Sequence, residues 1–298
     1  MKITDHDYTF SDAAFKEIWQ FLVDSYSIAG KLHNWSIAEL ENWLYATWDE
    51  PPAYFMERLH LWRDESAELI GFCTFYHEMT FLQVHPQVRF VEADMLDWAE
   101  CNWGGERALI ETQAYQYDAE RKKLLVQRGY QDMGADSNLH VYDLSRPYPA
   151  LDLPPGFRIE SLAENRNYEA RVATERLVFD SDYLDQNWFK GKSSAPSYSF
   201  DWDLSVISPE GQHVAFALAW IDRRNKAAQI DPVGTHPDYR RRGRAKVLLS
   251  ECFRRLYAAG ILCAYIGSAP EPNSSNRLYD SLQPVKRYTA NRWVKRLS

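Results

Sequence analysis

Four arginines, Arg240, Arg241, Arg242 and Arg244, surround Gly243 in the stretch DPVGTHPDYRRRGRAKVLL (231–249), in a chain whose net charge is −8. Directly after them Val247, Leu248, Cys252, Leu256 and Ala259 recur at helical spacing and stop at Gly260, so the arginines stand at the start of a helix. The first amides of a helix lack intrahelical partners, and the dipole concentrates positive charge there. Arginine at that end opposes the dipole by a few tenths to about 1 kcal/mol per site, a mismatch that a bound anion removes. Glycine lets an anion approach the backbone, and arginine adds charge-assisted hydrogen bonds. A phosphate suits this arrangement; a solvated basic helix start is the alternative.

The loop needs elements to hold it. NKAAQIDPVGT (225–235) reads as a strand interrupted by Pro232 and Gly234, which predicts a bulge or splayed edge. ILCAYIGS (261–268) reads as a buried strand, completing a strand–loop–helix–strand unit with an anion-binding helix start. Two other phosphate motifs fail. GKSS (191–194) lacks the upstream glycine of a P-loop, Gln186 standing in its place, and no GxGxxG follows a strand.

Arg240-Arg241-Arg242-Gly243-Arg244-Ala245 resembles the acyl-CoA signature (Gln/Arg)-x-x-Gly-x-(Gly/Ala) of the GNAT acetyltransferase superfamily, and NSSNRLYDSL (273–282) resembles its Asn-x-x-(Ala/Ser)-x-x-Leu-Tyr segment. The likeness covers 156 to 298 well and 1 to 149 weakly. It implies an α/β fold with a mixed, mostly antiparallel sheet, flanking helices and a splayed central strand. It implies acetyl-CoA as co-substrate, with no metal. The amides of Arg242 to Ala245 would hold the pyrophosphate, the backbone of Val233 and Thr235 would pair with pantetheine, and Asn273 would bind it further along. Tyr279 would protonate the departing thiolate, core packing being its other reading. Attack of an amine on a thioester requires a base, an oxyanion donor and an acid for sulfur. Asp231 leads as base, against a plain solvated edge carboxylate. His236 reads as structural. SLQP (281–284) departs from the family, whose members have a glycine and an aromatic there, and VKRYTA and RWVKRL are read as a final strand pair.

The whole chain frames this site. Its 298 residues, 45% hydrophobic and 26% charged, suffice for about two domains with real cores. The longest apolar runs, such as VAFALAWI (214–221), fall far short of the ~20 residues that span a bilayer. The N-terminus carries acids where a signal peptide is basic then apolar. Cysteines 73, 101, 252 and 263 form no CxxC pair or metal-ligand spacing, and Cys252 and Cys263 read as buried thiols. These features point to a cytoplasmic protein with no membrane and no metal.

The segment SRPYPALDLPPGF holds four prolines, so 1–147 and 157–298 are expected as domains joined by a 148–156 linker. Residues 1–149 carry a net −13 and residues 150–298 a net +5. His85-Pro86 and His236-Pro237 are 151 apart, and Leu125 and Tyr279 are 154 apart, which favours a diverged duplication in tandem. The first copy has lost the chemistry. HPQVRFVEADML keeps Arg89, lacks the glycine, and places Glu92 and Asp94 where phosphates would lie. Leu125 replaces the tyrosine. That copy is expected not to bind CoA; its acids serve solubility, structure or the steering of a cationic amine.

The long acidic and aromatic stretch 178–208 is read as a loop. Asp180, Asp182, Asp185, Tyr198 and Trp202 are candidates for gripping an amine, a partnerless surface loop being the alternative. The reading favoured is an N-acetyltransferase acting on a primary amine of a small molecule through a ternary complex, as a monomer or homodimer. Its rivals are a non-catalytic acyl-CoA-binding sensor or scaffold, and a transferase using charged tRNA. The −13 half and the absence of aromatic interleaving around the arginines speak against nucleic acid.

Overall fold

The computed structural model of the chain describes residues 2–46, 52–104 and 108–297. Two successive runs of elements have the same order. The first is β1 (Thr4–Asp7), α1 (Asp12–Ala29), α2 (Ile37–Tyr45), α3 (Pro52–Met56), β2 (Leu59–Arg63), β3 (Leu69–Tyr76), β4 (Met79–Val84), α4 (Glu92–Trp103), β5 (Leu109–Tyr115), α5 (Ala119–Gln127) and β6 (Gln131–Asp143). The second is β7 (Arg158–Ser161), α6 (Tyr168–Phe179), α7 (Gln186–Ser193), β8 (Asp203–Ile207), β9 (His213–Asp222), β10 (Ala227–Thr235), α8 (Arg244–Ala258), β11 (Cys263–Ser268), α9 (Ser274–Asp280) and β12 (Lys286–Arg296). Apart from α3, each element of one repeat has a counterpart in the other.

The His-Pro landmarks repeat down to single hydrogen bonds. The His85 and His236 amides donate to Ile70 O at 2.8 Å and Val214 O at 2.9 Å, each on the strand preceding its own. Their Nδ1 atoms accept from the amides two residues on, Gln87 at 3.2 Å and Asp238 at 3.3 Å. His236 is thus a turn residue with its ring packed edge-on against Tyr239.

Among the described residues, one compact unit takes in 2–40, 52–138 and 288–297, and the other 41–46 and 139–287. These limits differ from 1–147 and 157–298 at three places. The tail of α2 and residues 139–147 cluster with the second unit, and the end of the chain with the first. β12 accordingly lies antiparallel to β5, from Ala290 opposite Tyr115 to Arg296 opposite Leu109. In the second unit, strand order runs from the 139–143 part of β6 through β11, β10, β9 and β8 to β7.

That second sheet carries α8 on one face. Leu248, Leu249, Cys252, Phe253 and Leu256 are fully buried against Ala215, Ala217 and Ala219 of β9 and Leu204 and Val206 of β8. The alanines leave room for the helix, and each large side chain buried this way contributes about 1.5–3 kcal/mol. Residues 145–157 form no helix or strand, as the prolines predict, yet they are docked: Tyr148 Oη donates to Leu282 O at 3.2 Å and Ser250 Oγ to Pro149 O.

Three sequence expectations change. The stretch 178–208 is not one loop, because Asp185 accepts from Asn187 N and Trp188 N and so starts helix α7. The expected final strand pair is one strand, β12, since nothing between Thr289 and Arg292 turns the chain; Asn291 faces Ala114 in regular register. Cys263 is only half-buried, while Cys252 is fully buried. Among the described residues no helix is long and apolar enough to cross a membrane.

Gly234 sits where β10 passes beneath Phe216 and Val178. A Cβ there would overlap the Phe216 ring and come within 2.8 Å of Val178 Cγ1. Gly234→Ala should destabilise the protein by about 1–3 kcal/mol, and adding Phe216→Leu should recover part of the loss, both measured by urea unfolding. An unaltered unfolding midpoint in the single variant would contradict this packing.

Candidate active site

β10 pairs in parallel with β11 only through Ala227, Ala228 and Gln229. Its other edge follows β9 to Thr235, with the register shifting between Ile230 and Val233. The irregularity contains Asp231 and Pro232, and proline can offer no amide to a ladder. Beyond Gln229 the two parallel strands separate, and a cleft of about 470 Å³ opens at the splay. Val233, Gly234 and Thr235 form one wall, Tyr239 to Lys246 a second, and Val178, Ser274, Ser275, Leu278 and Tyr279 the rest.

The helix start behaves as its sequence suggests. Gly243 is the N-cap of α8 with φ +78°, no side chain caps the first turn, and that turn carries no acid. Arg241 also has positive φ, +59°. The arginines divide their work. Arg240 donates from Nε to Thr235 O at 3.2 Å and from Nη2 to Val178 O at 3.4 Å, tying the loop to the strand and to α6. Arg244 donates to Arg242 O at 2.9 Å and stacks over Phe157. Arg241 and Arg242 stay exposed around the cleft, with Ala245 buried beneath them.

Tyr279 lines the cleft and feels the charge of Asp231, which is not among the residues of the cleft wall. Tyr279 is only 5% exposed. Its ring packs edge-on against His140 and its carbonyl accepts from Tyr142 Oη at 3.0 Å. Burial pushes its hydroxyl well above the ordinary tyrosine range, and the Asp231 carboxylate pushes it further, so it holds its proton through neutral pH. Burial also raises Asp231; Lys192 opposes that rise, Glu175 adds to it, and a hydrogen bond from Asn42 Nδ2 at 3.0 Å opposes it. Asp231 O accepts from Trp220 Nε1 at 2.7 Å.

The remaining candidates lie elsewhere. Asn273 is outside the cleft wall: its side chain caps α9 by accepting from Ser275 N at 3.0 Å and donates to Ala269 O. Asp180 is the left-handed C-cap of α6, Asp185 the N-cap of α7, and Asp182 a fully exposed partner of Arg176. Trp202 packs against the main core. Tyr198 donates to Asp203 Oδ2 at 2.9 Å and belongs to a buried charge network. There Arg171 bonds Asp203 at 2.9 Å and Glu175 at 2.7 Å, and Lys192 bonds Glu175 at 3.3 Å. Burial alone would raise Glu175; Lys192 and Arg171 hold it below its usual range. Sequence reasoning missed Asn42, 189 residues from Asp231, because nothing local to it signals the contact.

The first repeat shows the same splay, closed. β4 and β5 share one paired position, Thr80 with Thr112. Asn34 fills the opened edge, donating to Val84 O and accepting from Val84 N, both at 2.9 Å, while Arg121 donates to Leu82 O at 3.1 Å. A space of about 40 Å³ remains there. At the start of α4, Arg89 pairs with Glu92 and with Asp118 at 2.9 Å, and Arg121 with Glu92 at 3.1 Å. α5 buries Arg121 and Leu125 where α9 buries Asn276 and Tyr279.

Residues 165–282 match the model of the acetyltransferase (GNAT) family. A comparison with curated proteins gives no match. Among solved structures, a tandem GNAT protein from the clavulanic acid biosynthesis pathway is similar over 99% of this chain and 98% of its own, at 11% identity and TM-score 0.67. A GCN5-related N-acetyltransferase from Sphaerobacter thermophilus is similar over 97% and 95%, at 18% identity and TM-score 0.63. A GNAT-family acetyltransferase from Colwellia psychrerythraea covers 99% and 100%, at 10% identity and TM-score 0.61. At these identities the likeness shows the fold: a mixed sheet flanked by helices, in tandem.

The raised Asp231 carboxyl has a thermodynamic consequence. The folded chain keeps this proton to higher pH than the unfolded chain, so its stabilising contribution is complete below the unfolded pKa of ~3.9 and is lost as pH rises through the folded value. Asp231→Asn should therefore be at least as stable as the parent at neutral pH, with the advantage shrinking toward about pH 4. Urea unfolding at the two pH values checks this, and an advantage that grows on acidification would contradict it.

Proposed function

We propose, from the match of residues 165–282 to the GNAT acetyltransferase family model, that the chain is an acetyl-CoA-dependent N-acetyltransferase for a primary amine of a small molecule, with chemistry confined to the second repeat. The observation that carries this reading is one cleft walled by an uncapped, glycine-led helix start and by Tyr279, with the Asp231 carboxylate near enough to act on that tyrosine. Amides of Arg242 to Ala245, with Arg241 and Arg242 beside them, suit a pyrophosphate. The edge of β10 that β11 leaves at Val233 and Thr235 offers strand-like hydrogen bonding to the amides of a pantetheine arm, with Thr235 O already accepting from Arg240 Nε.

Asp231 accepts a proton from the attacking amine, directly or through a water. As the new N–C bond forms and the C–S bond breaks, Tyr279 Oη donates its proton to the leaving thiolate. A buried tyrosine is suited to this step because it stays protonated until charge develops on sulfur beside it. Ser274 and Ser275 replace Asn273 as the α9 residues that face the cleft. In the family's usual glycine region, Gln283 takes the left-handed conformation at φ +57°, which lets SLQP end α9 without a glycine.

The first repeat supports the same reading by contrast. Its splay is filled by Asn34 and Arg121, its helix start by an internal ion network, and its tyrosine position by Leu125. We therefore read it as a copy that does not bind acetyl-CoA.

Calorimetric titration of acetyl-CoA into the full chain should give one site, abolished in Gly243→Glu, where a side chain would be strained and its charge would repel the pyrophosphate. Two sites would overturn the reading of the first repeat, and none would overturn the acetyltransferase reading. In a thiol-release screen of primary amines, Tyr279→Phe should lower kcat about 100-fold or more while keeping acetyl-CoA affinity. Binding with no release for any amine would favour the non-catalytic sensor.

A further inference from the structure

The contact that sequence reasoning could not supply is the one on the proposed base. Asn42 lies in α2, a helix of the first repeat, but its compact unit is that of the second. Its Nδ2 reaches Asp231 Oδ2 at 3.0 Å. The preceding residue, Glu41, is fully buried and accepts from Ser197 N at 2.8 Å, so this turn of α2 is fastened to the segment after α7. Asp231 is thus held twice: Trp220 Nε1 fixes its main-chain carbonyl at 2.7 Å, and Asn42 fixes one carboxylate oxygen.

The other groups that act on this carboxylate are Lys192 of α7, Glu175 of α6 and Tyr279 of α9. Lys192 is already engaged by Glu175 at 3.3 Å, and Glu175 by Arg171 at 2.7 Å, so that network largely neutralises itself. Among the described residues Asn42 is the side chain that donates a hydrogen bond to Asp231. An amide of this kind has a definite effect. It donates to one oxygen, favours the ionised form, and leaves the second oxygen as proton acceptor.

On the acetyltransferase reading above, we infer that Asn42 is a positioning residue for the second repeat's catalysis: it orients the Asp231 carboxylate and keeps it ionised so that its other oxygen takes the amine proton. The proton lost by nitrogen ends on Asp231, and the thiolate gains its own from Tyr279, so the transfer balances. The first repeat's helix α2 then contributes a working side chain to the second repeat's reaction.

The test is a ¹³C carboxyl NMR titration of the full chain, with the Asp231 signal assigned through Asp231→Asn. Asn42→Ala should raise the Asp231 midpoint by about one pH unit. Asn42→Asp, nearly isosteric and adding a like charge, should raise it at least as much. The acid limb of kcat should move upward with it in both variants, and acetyl-CoA affinity should hold. An Asp231 midpoint unchanged in both variants overturns the role of Asn42, whatever the activity does. Absence of acetyl-CoA binding in the parent protein instead overturns the acetyltransferase reading, and with it the catalytic meaning of the pair.

Discussion

The site depends on the early parting of two parallel strands. β10 and β11 pair through Gln229 and no further, and the register break at Asp231–Pro232 keeps β10 turned away while β9 still supports it from the other side. Proline cannot restore the missing ladder bond, and Gly234 lets the strand pass under Phe216 without collision. The same parting puts the α8 helix start and Tyr279 in the walls of one cleft. Without it, the arginine loop would be a basic patch with nothing leading inward.

The first repeat shows how readily such an opening is closed. The backbone groups exposed by its own splay are not left unpaired, which in a buried setting costs about 1–3 kcal/mol each. A side-chain amide, Asn34, bonds both the donor and the acceptor of Val84, and Arg121 takes Leu82 O. The charges at its helix start satisfy one another, Arg89 and Arg121 lying between Glu92 and Asp118. The repeat keeps its fold because the core does not distinguish an open splay from a filled one. Leu125 is fully buried in that core.

Much of this was legible in the sequence, and the limits are physical. The Pro232 and Gly234 pair foretold the bulge, Gly243 and the arginines the helix start, and the two His-Pro landmarks the repeat. Each is a local signal, carried by residues within one turn or strand. What stayed hidden is what depends on distant packing. Asn42 meets Asp231 across 189 residues with no local pattern. The placement of β12 beside β5 reverses no hydrophobic period, so alternation in 286–296 cannot tell which neighbour it takes. Capping misled in the opposite direction: Asp185 and Asn273 are polar residues beside a functional region, and both are used up in starting helices.

The central claim is that the splay of the second repeat, and not that of the first, receives an acyl-CoA. Hydrogen–deuterium exchange of the full chain with and without acetyl-CoA tests it directly, since bound ligand should slow exchange at the backbone it covers. The account predicts slowing across 233–246 and 274–279, with exchange across 81–97 unchanged. Slowing across 81–97, or none across 233–246, would contradict it.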